Sequence, residues 1–296
     1  MDEKIAPEKF REILPLICDK ETSGDHEGWK PDNPLWGHCA VIAMLANNLF
    51  GGKILNGKIN FSDSGGKIFK DISHYWNLLP KEIEVDFSSD QFGKNQPVLP
   101  KGRNITKTIV YFRIKKSKRF KLLAFRLAKN LSGDCGIFND PIYQKCFFAA
   151  LDSPCQKLRF GCVITHNSKV VYAGQNKTIE PLKSFCEPTC IRLSIQSRTE
   201  SMIGACGHAE EIGLWETARQ KIPLNECELY VAGIDMRGLP LFKKEPGHTC
   251  LRCAVQMYNA GVKMIYGPAK DGWLQGISAE KAVKTAKFFA TGEQKV

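Results

Sequence analysis

Two short stretches constrain this chain more than anything else in it: Gly207-His208-Ala209-Glu210 and Thr249-Cys250-Leu251-Arg252-Cys253. One imidazole and two thiols make a soft ligand set that suits Zn2+. Cys250 and Cys253 stand at i and i+3 ahead of Ala254, Val255, Met257 and Tyr258, a run that reads as a helix. One helical face is therefore expected to present both sulfurs to a single ion. A helix N-terminus also favours the thiolate form. Three protein ligands leave a fourth position open, which is the catalytic rather than the structural arrangement of zinc. Glu210, two residues beyond His208, is then placed to handle protons. The bland alternative, two buried small thiols and a satisfied helix histidine, must treat all four residues in this order as coincidence.

The length of 296 residues suggests about two domains. The chain carries 12 cysteines, yet charges and Pro7 interrupt any secretory pattern across Met1–Phe10. The expectation is a cytoplasmic protein with reduced thiols, in which cysteine serves metal, catalysis or packing rather than disulfides. No apolar run approaches the length of a membrane span. The net charge of +11 is concentrated between Lys94 and Lys129, which hold 12 basic residues and no acid. The rest of the chain is close to neutral. Such a segment either grips a polyanion or forms a solvated face.

Helical spacing predicts a first helix over Pro7–Leu14, with Pro15 ending or kinking it. A second helix is expected over Ala40–Phe50, stopped by Gly51-Gly52. Strands are expected at Ile54–Phe61, Ser73–Leu78 and Ile83–Phe87, and a helix at Ser117–Leu131. Beyond a linker at 132–139, Asp140 and Pro141 form a good N-cap and N1 pair for a helix to Leu151. A hairpin (Phe160–Thr165, Val170–Ala173), a helix (Ala209–Gln220), a strand (Glu228–Ile234), the Cys250–Ala260 helix, a strand (Val262–Tyr266) and a last helix (Ser278–Phe289) follow. That order predicts an α/β sandwich with helices on both faces of a mixed sheet. The expected domains are 1–131 and 140–296.

The second half resembles the cytidine/deoxycytidylate deaminase superfamily. His208-Ala209-Glu210 followed by Cys250-Leu251-Arg252-Cys253-Ala254 matches the zinc-deaminase signature, although Thr249 stands where proline is usual before the first cysteine. Further matching words are Ser153-Pro154-Cys155, Arg159-Phe160-Gly161, Ala173-Gly174-Gln175-Asn176, Leu229-Tyr230-Val231 and Asn259-Ala260-Gly261. The resemblance implies a three-layer α/β/α sandwich and hydrolytic loss of the cytosine amino group, with Glu210 as proton shuttle and His208, Cys250 and Cys253 as zinc ligands. It also implies substrate contacts from Asn176, and from Arg192 and Arg198 as a phosphate clamp. Cys186, Cys190 and Cys206 resemble the thiols of a second, structural zinc, with His166 or Cys155 as the fourth ligand. Assembly into homo-oligomers follows only by analogy.

The first half, over about residues 7–130, resembles the small bacterial YunG-like family. The words are Trp36-Gly37-His38-Cys39-Ala40, His74-Tyr75-Trp76-Asn77, Glu84-Val85-Asp86-Phe87, Gln91-Phe92 and Lys118-Arg119-Phe120-Lys121-Leu122-Leu123. A cysteine at a helix start, then His74, then Asp86, is the order of papain-like and transglutaminase-like thiol enzymes. An α+β papain-like fold with a Cys39–His74–Asp86 triad is the corresponding expectation.

The favoured function is a zinc-dependent deaminase of a cytosine nucleotide or nucleoside, dCMP first among them, acting on a small molecule and not at a membrane. One rival is a nucleic-acid cytosine deaminase that uses the basic segment on a single strand. Another is a thiol hydrolase or transferase, or a binding protein, whose zinc half is not the active enzyme.

Overall fold

Pro7 opens the first helix, α1 (Pro7–Ile17), and Pro15 does not close it. A proline in the last turn forfeits one hydrogen bond, that to the Arg11 carbonyl, while Ile17 gains a buried position beside Phe10, Ile13 and Leu14. The helix is therefore a turn longer than its proline suggests. The computed structural model describes residues 5–63, 66–133, 135–186, 188–195, 206–242 and 249–291. The chain divides into two units, Met1–Leu131 and Ser132–Val296.

In the first unit α1 is followed by α2 (Cys39–Phe50), β1 (Lys53–Ser62), β2 (Ile68–Leu79), β3 (Ile83–Val85) and β4 (Arg103–Asn104). Two more helices, α3 (Ile109–Lys115) and α4 (Lys118–Ser132), complete it. The four strands form one antiparallel sheet in the order β3-β2-β1-β4. Gly51 and Gly52 take positive φ values of 76° and 84° between α2 and β1, and a Cβ at Gly52 would collide with the Leu78 carbonyl oxygen. Helix α2 is nearly continuous in apolar residues and buries Val41 through Ala46. Phe10, Phe50 and Phe87 pack ring against ring, and α4 adds Phe120, Leu123 and Leu127 to the core. Burial of such side chains stabilises the unit by roughly 1.5–3 kcal/mol each.

The second unit runs α5 (Pro141–Asp152), β5 (Arg159–His166), β6 (Lys169–Gln175), β7 (Lys177–Thr178), β8 (Cys206–Gly207) and α6 (Ala209–Arg219). It continues β9 (Cys227–Ile234), α7 (Leu251–Asn259), β10 (Met264–Pro268), β11 (Leu274–Ser278) and α8 (Ala279–Thr291). Asp140 caps α5 by accepting from the N–H groups of Ile142 and Tyr143 at 2.7 and 2.9 Å. The hairpin β5–β6 turns at Asn167 and Ser168, both at positive φ, as a tight primed turn requires. The main sheet is mixed, in the order β11-β10-β9-β5-β6, with β9 and β10 parallel and the other neighbours antiparallel.

Strand alternation puts α5 on one face and the other helices on the opposite one. At Gly161 the α5 backbone lies so close that a Cβ would meet the Cys146 carbonyl oxygen. The next residue, Cys162, points the other way, into a core with Ala209, Leu214, Cys253, Ala254, Met257, Ala282 and Ala286. This is the mixed α/β architecture expected of the second half. Among the described residues, no helix is long and apolar enough to cross a membrane.

Candidate functional site

The two-stranded ribbon β7–β8 pairs Lys177 with Gly207 and Thr178 with Cys206. It closes the long excursion after β6 and delivers His208 to the N-cap of α6. The two cysteines are not placed as two helical residues on one face, as their spacing alone suggested. Cys250 is the N-cap of α7, in an extended backbone conformation, and its sulfur accepts from the Cys253 N–H at 3.5 Å. Capping geometry, rather than helical periodicity, turns the two sulfurs toward the same point.

That point is His208. Its Nδ1 lies 3.3 Å from the sulfurs of both Cys250 and Cys253. Among the described residues this is the one group of three ligand atoms that lie within 4.8 Å of one another. Tetrahedral zinc with ordinary bond lengths spaces a nitrogen and a sulfur about 3.6 Å apart, so the donor set fits that ion within a few tenths of an ångström. Cys253 is buried and Cys250 is exposed, so the cluster opens to solvent on the Cys250 side.

The electrostatics favour a thiolate here. The hydrogen bond from Cys253 pulls the Cys250 thiol down to about 4, against burial and with help from His208. The same bond, with burial, pushes Cys253 well up. Burial would lower His208, but its hydrogen bond to Cys250 and the charge of Glu210 raise it overall.

Glu210 sits in the first turn of α6 and is 6% exposed. Burial raises its pKa, while the charge on His208 and the hydrogen bond from Thr249 oppose the rise. The Thr249 hydroxyl donates to Glu210 Oε1 at 3.0 Å. The residue that departs from the usual proline thus grips the candidate proton carrier, which a proline has no group to do.

Sequence reasoning missed the neighbouring carboxylate. Glu211 is buried, and its Oε2 accepts the His208 N–H at 3.0 Å and Arg252 Nη2 at 2.6 Å. Its Oε1 accepts Gln256 Nε2 at 2.8 Å. One side chain therefore ties the start of α6 to the start of α7. The signal was present: a glutamate three residues after an N-cap is the second half of a capping box. Arg252 Nη2 also donates to the Cys206 carbonyl at 3.3 Å.

Asn176 follows β6 and is buried. Its Oδ1 accepts from Ser153 Oγ at 2.7 Å and from the Phe160 N–H at 2.8 Å, and its Nδ2 donates to the Leu158 carbonyl at 3.2 Å. Most of its amide is thus spent bracing the chain around Ser153–Phe160. Arg192 is half-buried in a short 3-10 turn, where its carbonyl accepts Lys157 Nζ at 2.8 Å. Arg198 lies outside the described residues.

Cys155, Cys186, Cys190 and Cys206 line one small pocket with Gln156 and Asn176. The sulfurs of Cys186 and Cys206 are 3.8 Å apart. Gln156 fastens the excursion by donating to the Cys186 carbonyl and accepting the Cys190 N–H. His166, the other fourth ligand expected from the sequence, is instead paired with Glu226 at 2.9 Å at the hairpin turn.

In the first unit Cys39, His74 and Asp86 meet. Cys39 opens α2 and is half-buried. His74, on β2, is buried, and its Nε2 lies 2.7 Å from Asp86 Oδ2. Cys39 lies near enough to help Asp86 raise the His74 pKa against the effect of burial. The basic segment is partly consumed within this unit: Arg126 pairs with Asp19 at 2.8 Å, and Arg119 donates to the carbonyls of Thr22 and Gly37.

Comparison with known families agrees with this division. Residues 139–267 match the cytidine and deoxycytidylate deaminase zinc-binding region. Residues 6–132 match the YunG protein family. The chain thus joins a YunG domain to a zinc-binding domain of the cytidine/deoxycytidylate deaminase type. No curated protein matches it as a relative.

Proposed function

We propose that the second unit deaminates a cytosine nucleotide or nucleoside hydrolytically, with dCMP the favoured substrate. The observation that carries this reading is the meeting of one imidazole nitrogen and two sulfurs within 4.8 Å, two residues away from the buried carboxylate of Glu210. Zinc bound by His208, Cys250 and Cys253 would supply the Lewis acidity that makes water a nucleophile at neutral pH.

The chain's own residues do the remaining work. Glu210 takes a proton from the attacking water and gives it to the cytosine ring nitrogen next to C4. It then protonates the amino group, which leaves as ammonia, so that one carboxylate serves as base and acid in turn. Thr249 engages Oε1 and leaves Oε2 to carry the proton. Burial, by raising the Glu210 pKa, brings it nearer the range in which a carboxylate both gives and accepts at neutral pH. Asn176 retains one Nδ2 hydrogen for a sugar hydroxyl, and Arg192 with Arg198 would clamp a phosphate. The twelve thiols, none of them in a disulfide, favour a reducing, cytoplasmic setting.

The deciding experiment is ammonia release across a panel of cytosine and adenine nucleosides, nucleotides and single-stranded oligonucleotides. Activity confined to free cytosine compounds, greatest on dCMP, is the expected result. Turnover of oligonucleotides alone, falling steeply with salt, would instead assign the basic segment to nucleic acid. No ammonia from any member would refute the reading.

The thiol pocket supports a second, structural zinc held by Cys155, Cys186, Cys190 and Cys206, an ion that would draw the four sulfurs together. Metal analysis of the full chain should then give two zinc ions per chain, and one after Cys186→Ser. One per chain in the unaltered protein would end this assignment.

A further inference from the structure

We infer that the YunG domain is an acyl-transfer enzyme in its own right, with Cys39 as nucleophile, His74 as its acid–base partner and Asp86 as the group that orients the imidazole. The substrate class is a carboxylic amide or ester with an apolar group beside the carbonyl. This inference does not rest on the deaminase reading, and the two fail separately.

The geometry carries the assignment. His74 Nε2 is engaged by Asp86 Oδ2 at 2.7 Å, which leaves Nδ1 as the ring nitrogen open to serve Cys39. Asp86 is itself held fast. Its Oδ1 accepts the Ser88 N–H and hydroxyl at 2.9 and 2.8 Å, and its carbonyl accepts Arg11 Nη2 at 3.0 Å. Nucleophile, base and orienter, each positioned by the next, is the arrangement that activates a thiol. A packing role would not require it: Cys18, in the same unit, is buried with a thiol pushed up by desolvation, whereas Cys39 is half-exposed at a helix start.

The charged groups facing this cluster agree. Asp86 and Cys39 together raise His74 to about 9 against the effect of its burial. The Arg119 guanidinium on α4 adds positive charge near Cys39. His38, the preceding residue, is kept neutral, with burial bringing it down to about 4, and its ring is tied to Thr22 Oγ1 and the Trp36 carbonyl. The imidazolium at Cys39 therefore comes from His74.

The substrate class follows from what borders the site. Phe92 packs edge-on against His74 at 5.1 Å, Phe61 against Phe92 at 4.8 Å, and Trp36 and Phe69 against Phe61 at 5.8 and 4.8 Å. Trp36, Phe61 and Phe69 are half-exposed. This aromatic wall runs from His74 through Phe92 and Phe61 to Trp36, which precedes Cys39 by three positions in the sequence, and it offers an apolar face to an acyl group.

The reaction balances with water as the co-reactant. The Cys39 thiolate adds to the acyl carbon, and the oxyanion faces the first-turn N–H groups of α2. The leaving amine or alkoxide takes the proton from His74, and a thioester remains. His74 then deprotonates a water, which cleaves the thioester. A carboxylic acid departs and the thiolate–imidazolium pair returns.

The test uses the full chain. Iodoacetamide labelling of Cys39, located by peptide mass spectrometry, is followed from pH 5 to 10. The labelling rate at pH 6 is expected to fall at least about tenfold in His74→Asn, which removes the group that takes the thiol proton. In parallel, p-nitrophenyl esters of acetic and 3-phenylpropanoic acid should be turned over, each chain releasing more than one p-nitrophenolate. The 3-phenylpropanoate should react at least about tenfold faster, and Cys39→Ala should lose the turnover. Should His74→Asn fail to fold, ester turnover by the unaltered chain and by Cys39→Ala decides. No turnover of either ester by the unaltered chain, or equal turnover by Cys39→Ala, overturns the inference.

Discussion

Glu210→Gln is expected to lower kcat for ammonia release by about 10³-fold while leaving the zinc content of the protein unchanged. The substitution keeps the shape of the side chain and the acceptor for the Thr249 hydroxyl, which sits 3.0 Å from Oε1. What it removes is the ability to take a proton from water and return it. The three candidate ligands are other residues, and their approach to one another does not pass through Glu210. Substrate affinity should therefore change little, and the loss should fall on kcat. Equal loss of zinc and activity would mean that Glu210 holds the metal site together. Retained activity would mean that some other group moves the proton.

Much of this was legible in the sequence, for a physical reason. The three candidate metal ligands and Glu210 lie in two short words whose spacing is set by local backbone geometry, and local geometry is what a sequence encodes most directly. Asp140 before Pro141 was legible on the same grounds. Tertiary contact overrode local propensity elsewhere. Pro15 stays inside α1 because Ile17 has a core position to fill. Strand β2 begins at Ile68, five residues before the strongest apolar alternation, because β1 is there to pair with it. The short β11 and the ribbon β7–β8 have almost no signal of their own and exist through their partners. The same distinction holds at the site. Cys250 and Cys253 were evident as a pair, but the N-cap conformation that aims them was not. Cys155 was one of two candidates for the fourth position of the thiol pocket, but the clamp made by Gln156, thirty residues distant in sequence from Cys186, was not evident.

The adjacent carboxylate should behave in the opposite way. Glu211→Ala is expected to weaken zinc binding by about 10–100-fold, with a much smaller effect on kcat once the metal is saturating. Glu211 accepts from the His208 N–H, from Arg252 Nη2 and from Gln256 Nε2, so it fixes the first ligand against the helix that carries the other two. Without it His208 loses the partner that holds its backbone, and Arg252 and Gln256 lose their acceptor. Breaking a buried ion pair costs about 3–5 kcal/mol. Arg252 is 37% exposed at the side chain, and solvent screening reduces the expected loss of stability to about 2 kcal/mol. Glu211→Gln keeps two of the three hydrogen bonds in reach and should recover part of the metal affinity. Chelator competition measures the affinity, and denaturant unfolding of the zinc-loaded and zinc-stripped protein measures the stability. If Glu211→Ala bound zinc as tightly as the unaltered chain, the network would be a helix cap and nothing more. If it lost kcat at saturating zinc as severely as Glu210→Gln, the two neighbouring carboxylates would have to share the proton chemistry assigned to one.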